Sequence, residues 1–300
     1  MASVDPKRAG MALAVLVVMT AVGLGGVYRQ AIVTDPGDHL DRDHIRGVIA
    51  QESPVLYRDG TTRIGVFFAR EHRAYVAFSD IPRAWVSAIT AAEDQRFWEH
   101  GGVDVFGIAR AMLRNVQAGR MVAGGSTLTQ QTAKNLYYRP DRSLRSKWTE
   151  LLNALRLETH YSKEEILEFY ANQFHVSSNG RGLGIAARYF FDKDVAELGT
   201  LECAFLAGLV KAPSRYNPFI GKTEDDRKRA QQRARARTHY VLDRMLAEGV
   251  LTATVHADLK AKEIPFKKGT FQYDSNVILD EVEARLSQAP FPALFESLGI

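Results

Sequence analysis

The chain contains one cysteine, Cys203. An internal disulfide is therefore excluded, as is a zinc site made of cysteine ligands. No HExxH pattern occurs, which removes the usual helical signature of a zinc hydrolase. Charge of one sign is also scarce. With 39 basic and 35 acidic residues the net charge is only +4, too weak to argue for nucleic acid, though it favours an anionic surface such as lipid headgroups. Internal repeats and low-complexity linkers are absent. A hydrophobic fraction of 46% and a charged fraction of 25% exclude global disorder in a chain of 300 residues, long enough for one large domain or two modest ones.

The first feature present is an uncharged run. Lys7 and Arg8 precede AGMALAVLVVMTAVGLGGVY, residues 9–28. Twenty helical residues rise about 30 Å, the thickness of a bilayer's hydrocarbon core. The apolar core of a secretory signal is shorter, about 7–15 residues, so an uncleaved anchor is expected, although Gly23 and Gly25 leave a cleavage site open. Its positive flank predicts a cytoplasmic tail at 1–8 and places everything after Arg29 on the outer side.

Residues 29–77 read as a stalk with a small β element, because SPVLYRDGTTRIGVFF alternates around Asp59-Gly60, a hairpin signal. From Pro82 onward the period is helical. A mainly α domain over 78–250 is expected, followed at 251–300 by an extension or linker. Thr127 with Gln130 and Ser162 with Glu165 have capping-box spacing. LECAFLAGLV is apolar on every face, a buried helix stopped by Pro213. The arginine-rich stretch after 226 reads as a solvated helix face.

Three segments carry candidate chemistry. In AAEDQRFWEHGGVD, residues 91–104, helical spacing aligns Val86, Ile89, Glu93 and Phe97 on one face, in a helix capped by Ser79 or Asp80 and ended by the two glycines. A carboxylate in an apolar stripe resists ionisation, which suits a proton acceptor. The competing reading is a Glu93–Arg96 ion pair at the helix end, and His100 reads as a capping or core histidine. In GGSTLTQQTAKN, residues 124–135, two glycines, two hydroxyls and Lys134 at a helix start suit a phosphate or diphosphate. An ordinary capped helix start fits equally well, and Gly125 stands where a Walker lysine would be. In the helix 142–158, Leu144, Trp148, Leu151 and Leu155 form the apolar stripe, and Lys147 with Glu150 reads as a surface ion pair.

Together these segments resemble the peptidoglycan glycosyltransferases of family 51, the polymerising domain of class A penicillin-binding proteins and their monofunctional relatives. EDQRFWEHGGVD is similar to the first motif of the family and GGSTLTQQTAKN to the second. KWTE resembles the third, KEEILEFYANQF with GRGLGIAARYFF the fourth, and LECAFLAGLVKAPSRYNP the fifth. They occur in the family's order over residues 78–219.

The resemblance implies a lysozyme-like, two-lobed, mainly helical fold. It implies polymerisation of lipid II into β-1,4-linked glycan strands, with inversion and release of undecaprenyl diphosphate. Glu93 then matches the general base. Glu150 matches a second acid that assists the departing diphosphate, directly or through a divalent cation (Mg or Mn); no tightly bound cofactor is implied. Lys134 and Lys147 match the cations that meet the diphosphate. Ser126, Thr127, Gln130 and Gln131 match the wall of the donor pocket, Asp94 and Asn135 match neighbouring substrate contacts, and Asn172 an acceptor-side contact.

Two departures stand out. Ser146-Lys147 replaces the family's Arg-Lys, so one diphosphate contact is either missing or supplied by Arg145. FHVSSNG replaces the usual Tyr-Phe-Gly of the fourth motif. The implied partners are lipid II, the growing strand, membrane lipids and proteins of cell-wall synthesis or division, at the outer face of a bacterial cytoplasmic membrane. The helix VFGIARAMLRNVQAGRMV, with Phe106, Ala109, Leu113 and Val116 on one side, fits either a lipid interface or a core-facing helix. Rival readings are a glycan-cleaving lysozyme-like enzyme, a non-catalytic membrane scaffold, and a shortened bifunctional protein. No SxxK or KTG motif follows the glycosyltransferase segment to acylate with penicillin.

Overall fold

The computed structural model describes residues 19, 23, 25–34, 40–49, 53–56, 63–67, 72–120, 124–136, 143–177 and 180–269. Most of the expected anchor, the Asp59-Gly60 turn and residues 270–300 lie outside these. Among the described residues no helix is long and apolar enough to cross a membrane.

The centre of the fold is a layer of three helices. Helix α1 (Arg42–Ile49) precedes them and lends Ile45 and Ile49 to the core. The first of the three, α2 (Arg83–Glu93), begins at Pro82, whose carbonyl accepts from the N–H groups of Trp85 (2.9 Å) and Val86 (3.1 Å). The expected cap at Ser79 or Asp80 is not used. Asp80 closes a separate 3-10 turn, Phe78–Asp80, and Ile81 is extended at φ −73° and ψ 122°. The residue before a proline is pushed out of the α region, so the helix cannot start earlier. Trp85, Ala88 and Ile89 of α2 are fully buried, and Trp85 stacks on Phe174 at 6.1 Å.

The α2 core face meets two later helices, α8 (Thr200–Leu209) and α10 (Glu224–Ala247), which also pack on each other. All residues of α8 from Leu201 to Leu209 are buried, as its all-round apolar sequence predicts, and it gives way to a one-turn helix α9 (Pro213–Tyr216) with Pro213 in its first turn.

Before α8 in the chain lie α3 (Val105–Ala118), α4 (Leu128–Leu136), α5 (Leu144–His160), α6 (Lys163–Ala171) and α7 (Gly182–Phe191). Helix α4 packs on both α5 and α6. The Ser162–Glu165 capping box starts α6, as its spacing predicts. Helix α7 opens with Gly182 at φ +84°, and a Cβ on Gly184 would come within 2.5 Å of the Ala74 carbonyl oxygen, so only glycine allows this approach. After α10 comes α11 (Ala253–Ala261).

Strands are few. β1 (Ser53–Leu56) and β2 (Arg63–Phe67) pair antiparallel. A second sheet, with no counterpart in the sequence reading, joins β3 (His72–Arg73), β4 (His175–Ser177) and β5 (Gly180–Arg181) in the order β3-β5-β4. The segment after α11 is also held: Phe266 stacks on Phe191 and meets Phe205 edge-on, while the Lys267 N–H donates to the Phe190 carbonyl.

Candidate active site

Glu93 is the last residue of α2, its side chain 18% exposed at the edge of a cavity of about 520 Å³. The helix ends at Glu93 itself rather than at the glycines, because Asp94 leaves the helical region at φ −155° and ψ 78°. Asp94 turns inward. Its carboxylate accepts from the Leu128 N–H at the start of α4 (2.9 Å) and from His100 Nε2 (3.0 Å). His100 Nδ1 in turn accepts from the Gly102 N–H, which leaves the ring proton on Nε2 facing Asp94. His100 is thus the buried structural histidine its sequence context suggests. Lys163 closes this loop from below, bonding the His100 carbonyl at 2.6 Å and Glu158 at 2.7 Å.

The anticipated Glu93–Arg96 pair does not form. Arg96 binds Glu99 (2.6 Å) and Asp104 (3.1 Å) instead. The partner of Glu93 is Arg237 of α10, whose Nη2 lies 2.6 Å from Glu93 Oε1. Burial raises the Glu93 pKa above the usual carboxylate range, against the opposing pull of Arg237, Lys211 and a hydrogen bond from Gln131. Around the cavity, the five cations Arg110, Arg114, Lys211, Arg237 and Arg244 outnumber the three acids Glu93, Asp94 and Asp104. None of these five was singled out from the sequence as a site residue. Arg237 contradicts the reading of the arginine-rich helix as a solvated face: Ala230, Ala234, Val241 and Met245 are buried on α10, and Arg237 lies in that stripe, 10% exposed. That spacing, three residues after Ala234 and four before Val241, was the available signal.

The second-motif residues divide by role. Ser126, Thr127 and Gln131 line the cavity. Thr127 and Gln130 also form the capping box expected of them: Gln130 Oε1 accepts from the Thr127 N–H (3.0 Å) and Thr127 Oγ1 accepts from the Gln130 N–H (3.1 Å). The side chain of Gln130 is thereby used within α4, away from the cavity wall. Lys134 is exposed and Asn135 half-buried farther along α4.

On α5, Lys147 pairs with the buried Glu150 and also reaches Ser126 Oγ at 3.3 Å, linking the third motif to the cavity rim. The surface ion pair that the Lys147–Glu150 spacing suggested therefore holds for one partner only: Glu150 is buried while the Lys147 side chain is 44% exposed. Arg145 is exposed in the first turn of the same helix. Ser146 sits in the cap that Ser143 makes to its N–H. As to a divalent cation, no group of three or more metal-ligating side chains converges among the described residues, and Glu150 is taken by Lys147. The described residues alone therefore do not form a cation cage.

Asn172 corrects an assignment. It is 1% exposed and outside the cavity wall, its Oδ1 accepting from the Val76 N–H (2.8 Å) and its Nδ2 donating to the carbonyls of Val76 and Glu168 (2.8 Å each). With both donor hydrogens engaged, its oxygen already accepting one bond and only 1% of the residue exposed, this amide is not presented to a sugar. Asn172 clamps the extended segment 74–77 onto α6, and Glu168 completes the clamp through the Phe78 N–H (2.8 Å). Asn172→Ala strands the buried Val76 N–H and carbonyl, and an expected loss on the order of 2–4 kcal/mol would be read by denaturant unfolding. Substrate affinity of the folded fraction should stay unchanged.

A mainly helical fold thus holds a shielded carboxylate at the edge of a cavity lined by guanidinium groups. The chain belongs to the transglycosylase family, the domain found in class A penicillin-binding proteins; the family model matches residues 60–246. It is 40% identical over 214 residues to Penicillin-binding protein 1A of Aquifex aeolicus, covering 71% of this chain and 28% of that protein. To Penicillin-binding protein 1A of Neisseria flavescens it is 37% identical over 245 residues, covering 82% and 29%. The chain thus spans less than a third of these relatives' length. A crystal structure of Penicillin-Binding Protein 1A from Haemophilus influenzae overlays at 20% identity and a TM-score of 0.40, covering 76% of this chain and 23% of that one.

Proposed function

We propose that this protein is a peptidoglycan glycosyltransferase that polymerises lipid II at the outer face of a bacterial cytoplasmic membrane. The observation that carries the reading is Glu93: a family-motif carboxylate with a raised pKa, held at the edge of a cation-rich cavity. In the proposed step the 4-hydroxyl oxygen of an incoming lipid II attacks the anomeric carbon of the strand. Its proton passes to Glu93, the new C–O bond forms, and the bond to phosphate breaks with its electron pair leaving on the diphosphate. Attack opposite the leaving group inverts the centre and yields the β-1,4 linkage.

The diphosphate would depart beside Lys147, oriented by Glu150 and Ser126, with Lys134 exposed on α4 and Arg145 on α5 as further candidate cations. Fixed cations where charge develops supply the largest part of such catalysis. Incubating the protein with labelled lipid II, and separately with intact glycan strands, tests this. Chain growth from lipid II supports it; strand cleavage or no product in either arm refutes it.

The apolar surface supports the membrane part of the reading. The core-facing alternative for α3 does not hold: Leu113 is 59% and Val116 77% exposed, with Val105, Phe106 and Met112 also uncovered. At the N-terminal end of α5, Leu144 is 90% and Trp148 61% exposed. The segment following the apolar run docks on the other end of α5, where Arg156 Nε donates to the Ala31 carbonyl at 2.8 Å. Such an exposed apolar face suits insertion at a lipid interface. Leu113→Glu and Val116→Glu are each expected to lower vesicle binding roughly tenfold or more in a co-sedimentation assay. Melting temperature should barely move, because neither residue contributes to the core.

A further inference from the structure

We infer that Arg237 is a positioning residue for the reaction proposed above: it fixes the orientation of the Glu93 carboxylate and sets a permanent positive charge against one of its oxygens. The inference rests on the reading of Glu93 as the base.

Geometry supports it first. Arg237 reaches Glu93 across the α10–α2 contact, 144 residues away in sequence, with Nη2 2.6 Å from Oε1. The other end of the guanidinium is tied down, since Nε donates to the Gly208 carbonyl of α8 at 3.3 Å. The face of the group lies 4.5 Å from the centroid of the Tyr240 ring. Gly208 makes room for the stem, because a Cβ there would stand 3.0 Å from Arg237 Cγ. Three helices thus converge to aim one guanidinium at one carboxylate oxygen.

Chemistry makes the aim consequential. A guanidinium does not lose its proton in a protein, so the charge beside Glu93 is permanent. A lysine in the same place could itself deprotonate when buried.

The remaining groups around Glu93 cannot substitute for it. Lys211, beyond α8, acts on Glu93 through charge alone, and Gln131 of α4 contributes an uncharged hydrogen bond. Tyr170 of α6, itself pushed well above the usual tyrosine range by burial, stays neutral and lends no positive charge. Neighbouring Asp94 is turned to His100, and Arg244 of α10 is paired with Glu248 at 3.0 Å. Arg110, Arg114 and Asp104 lie in the cavity wall contributed by α3 and its entry, and Asp104 is bound to Arg96 at 3.1 Å. Burial is the largest influence on Glu93 and Arg237 the largest force opposing it.

The test measures kcat/KM for lipid II against pH, over about pH 5–9, in the full chain and in Arg237→Gln, Arg237→Met and Arg237→Lys. In parallel, the Glu93 carboxyl carbon is titrated by 13C NMR, its signal assigned by loss in Glu93→Gln. The base must be ionised, so activity rises with pH through its pKa, and removing an adjacent cation raises that pKa. The acid limb and the carbon titration of the two neutral variants should therefore both move to higher pH by about one to three pH units. Arg237→Lys, over the pH range in which its ammonium stays protonated, should return the midpoint most of the way to that of the unaltered chain.

A neutral variant with an unmoved midpoint overturns the inference, even if its plateau falls or its KM rises, since those changes describe a structural or substrate contact. If neither neutral variant folds, Gly208→Ala crowds Arg237 Cγ and must move the midpoint in the same direction; an unmoved midpoint is again fatal. Absent polymerisation with a shifted carbon titration would preserve the pair and refute the polymerase reading. Polymerisation with an unshifted titration would do the reverse.

Discussion

Glu93→Gln is expected to cut lipid II polymerisation by about two to four orders of magnitude, the range that a positioned general base commands. The amide keeps the size of the side chain and an oxygen for Arg237 to bind, so lipid II affinity should change by no more than a few-fold. Single-turnover polymerisation alongside equilibrium binding separates the two. A mutant that polymerises normally removes Glu93 from the reaction. The same burial that prepares the base has a thermodynamic consequence. Glu93 holds its proton more tightly folded than unfolded, so its contribution to stability is present below the unfolded pKa and lost as pH rises through the folded one. Burial makes ionising this carboxyl costly, and Arg237 offsets part of that cost.

Asp94→Ala is expected to cost about 2–6 kcal/mol, because it strands two buried donors, the Leu128 N–H and His100 Nε2, each worth about 1–3 kcal/mol when left unpaired. Its effect on catalysis should follow from geometry. Asp94 ties the residue after Glu93 to the N-terminus of α4, which carries Gln131 and borders the cavity. Without that tie, kcat should fall with the loss of a defined Glu93 orientation, while a direct sugar contact would have appeared mainly in KM. Denaturant unfolding reads the stability loss and steady-state kinetics the second effect. Asp94→Asn, which retains one acceptor oxygen, should recover part of both. A stable Asp94→Ala protein with only a raised KM would return Asp94 to the role of substrate contact implied by the family motif.

These two neighbours illustrate how far the chain could be read. The apolar stripe around Glu93 was legible, and so was the difficulty of ionising a carboxylate there. The motif carried Asp94 along as a substrate contact, but its partners lie 6 and 34 residues away and its side chain points into the protein. Asn172 went the same way, because an amide beside a family motif looks identical whether it holds a sugar or a stretch of backbone.

What the amino-acid sequence determined by itself is what short range controls. The capping boxes at Thr127 and Ser162 span three residues, α8 declared its burial by being apolar on every face, and Pro213 closed it off. Family membership was likewise readable, since motifs are linear. Tertiary structure decided what depends on how helices are rotated against one another. The period of α3 marked its apolar face but not that the face would stay uncovered. In α10 many arginines are interchangeable by composition, and only the seating of Ala230, Ala234 and Val241 against the core selects Arg237 as the one that reaches Glu93. Periodicity assigns a residue to a face of its own helix; what that face meets is set by the packing of helices distant in the chain.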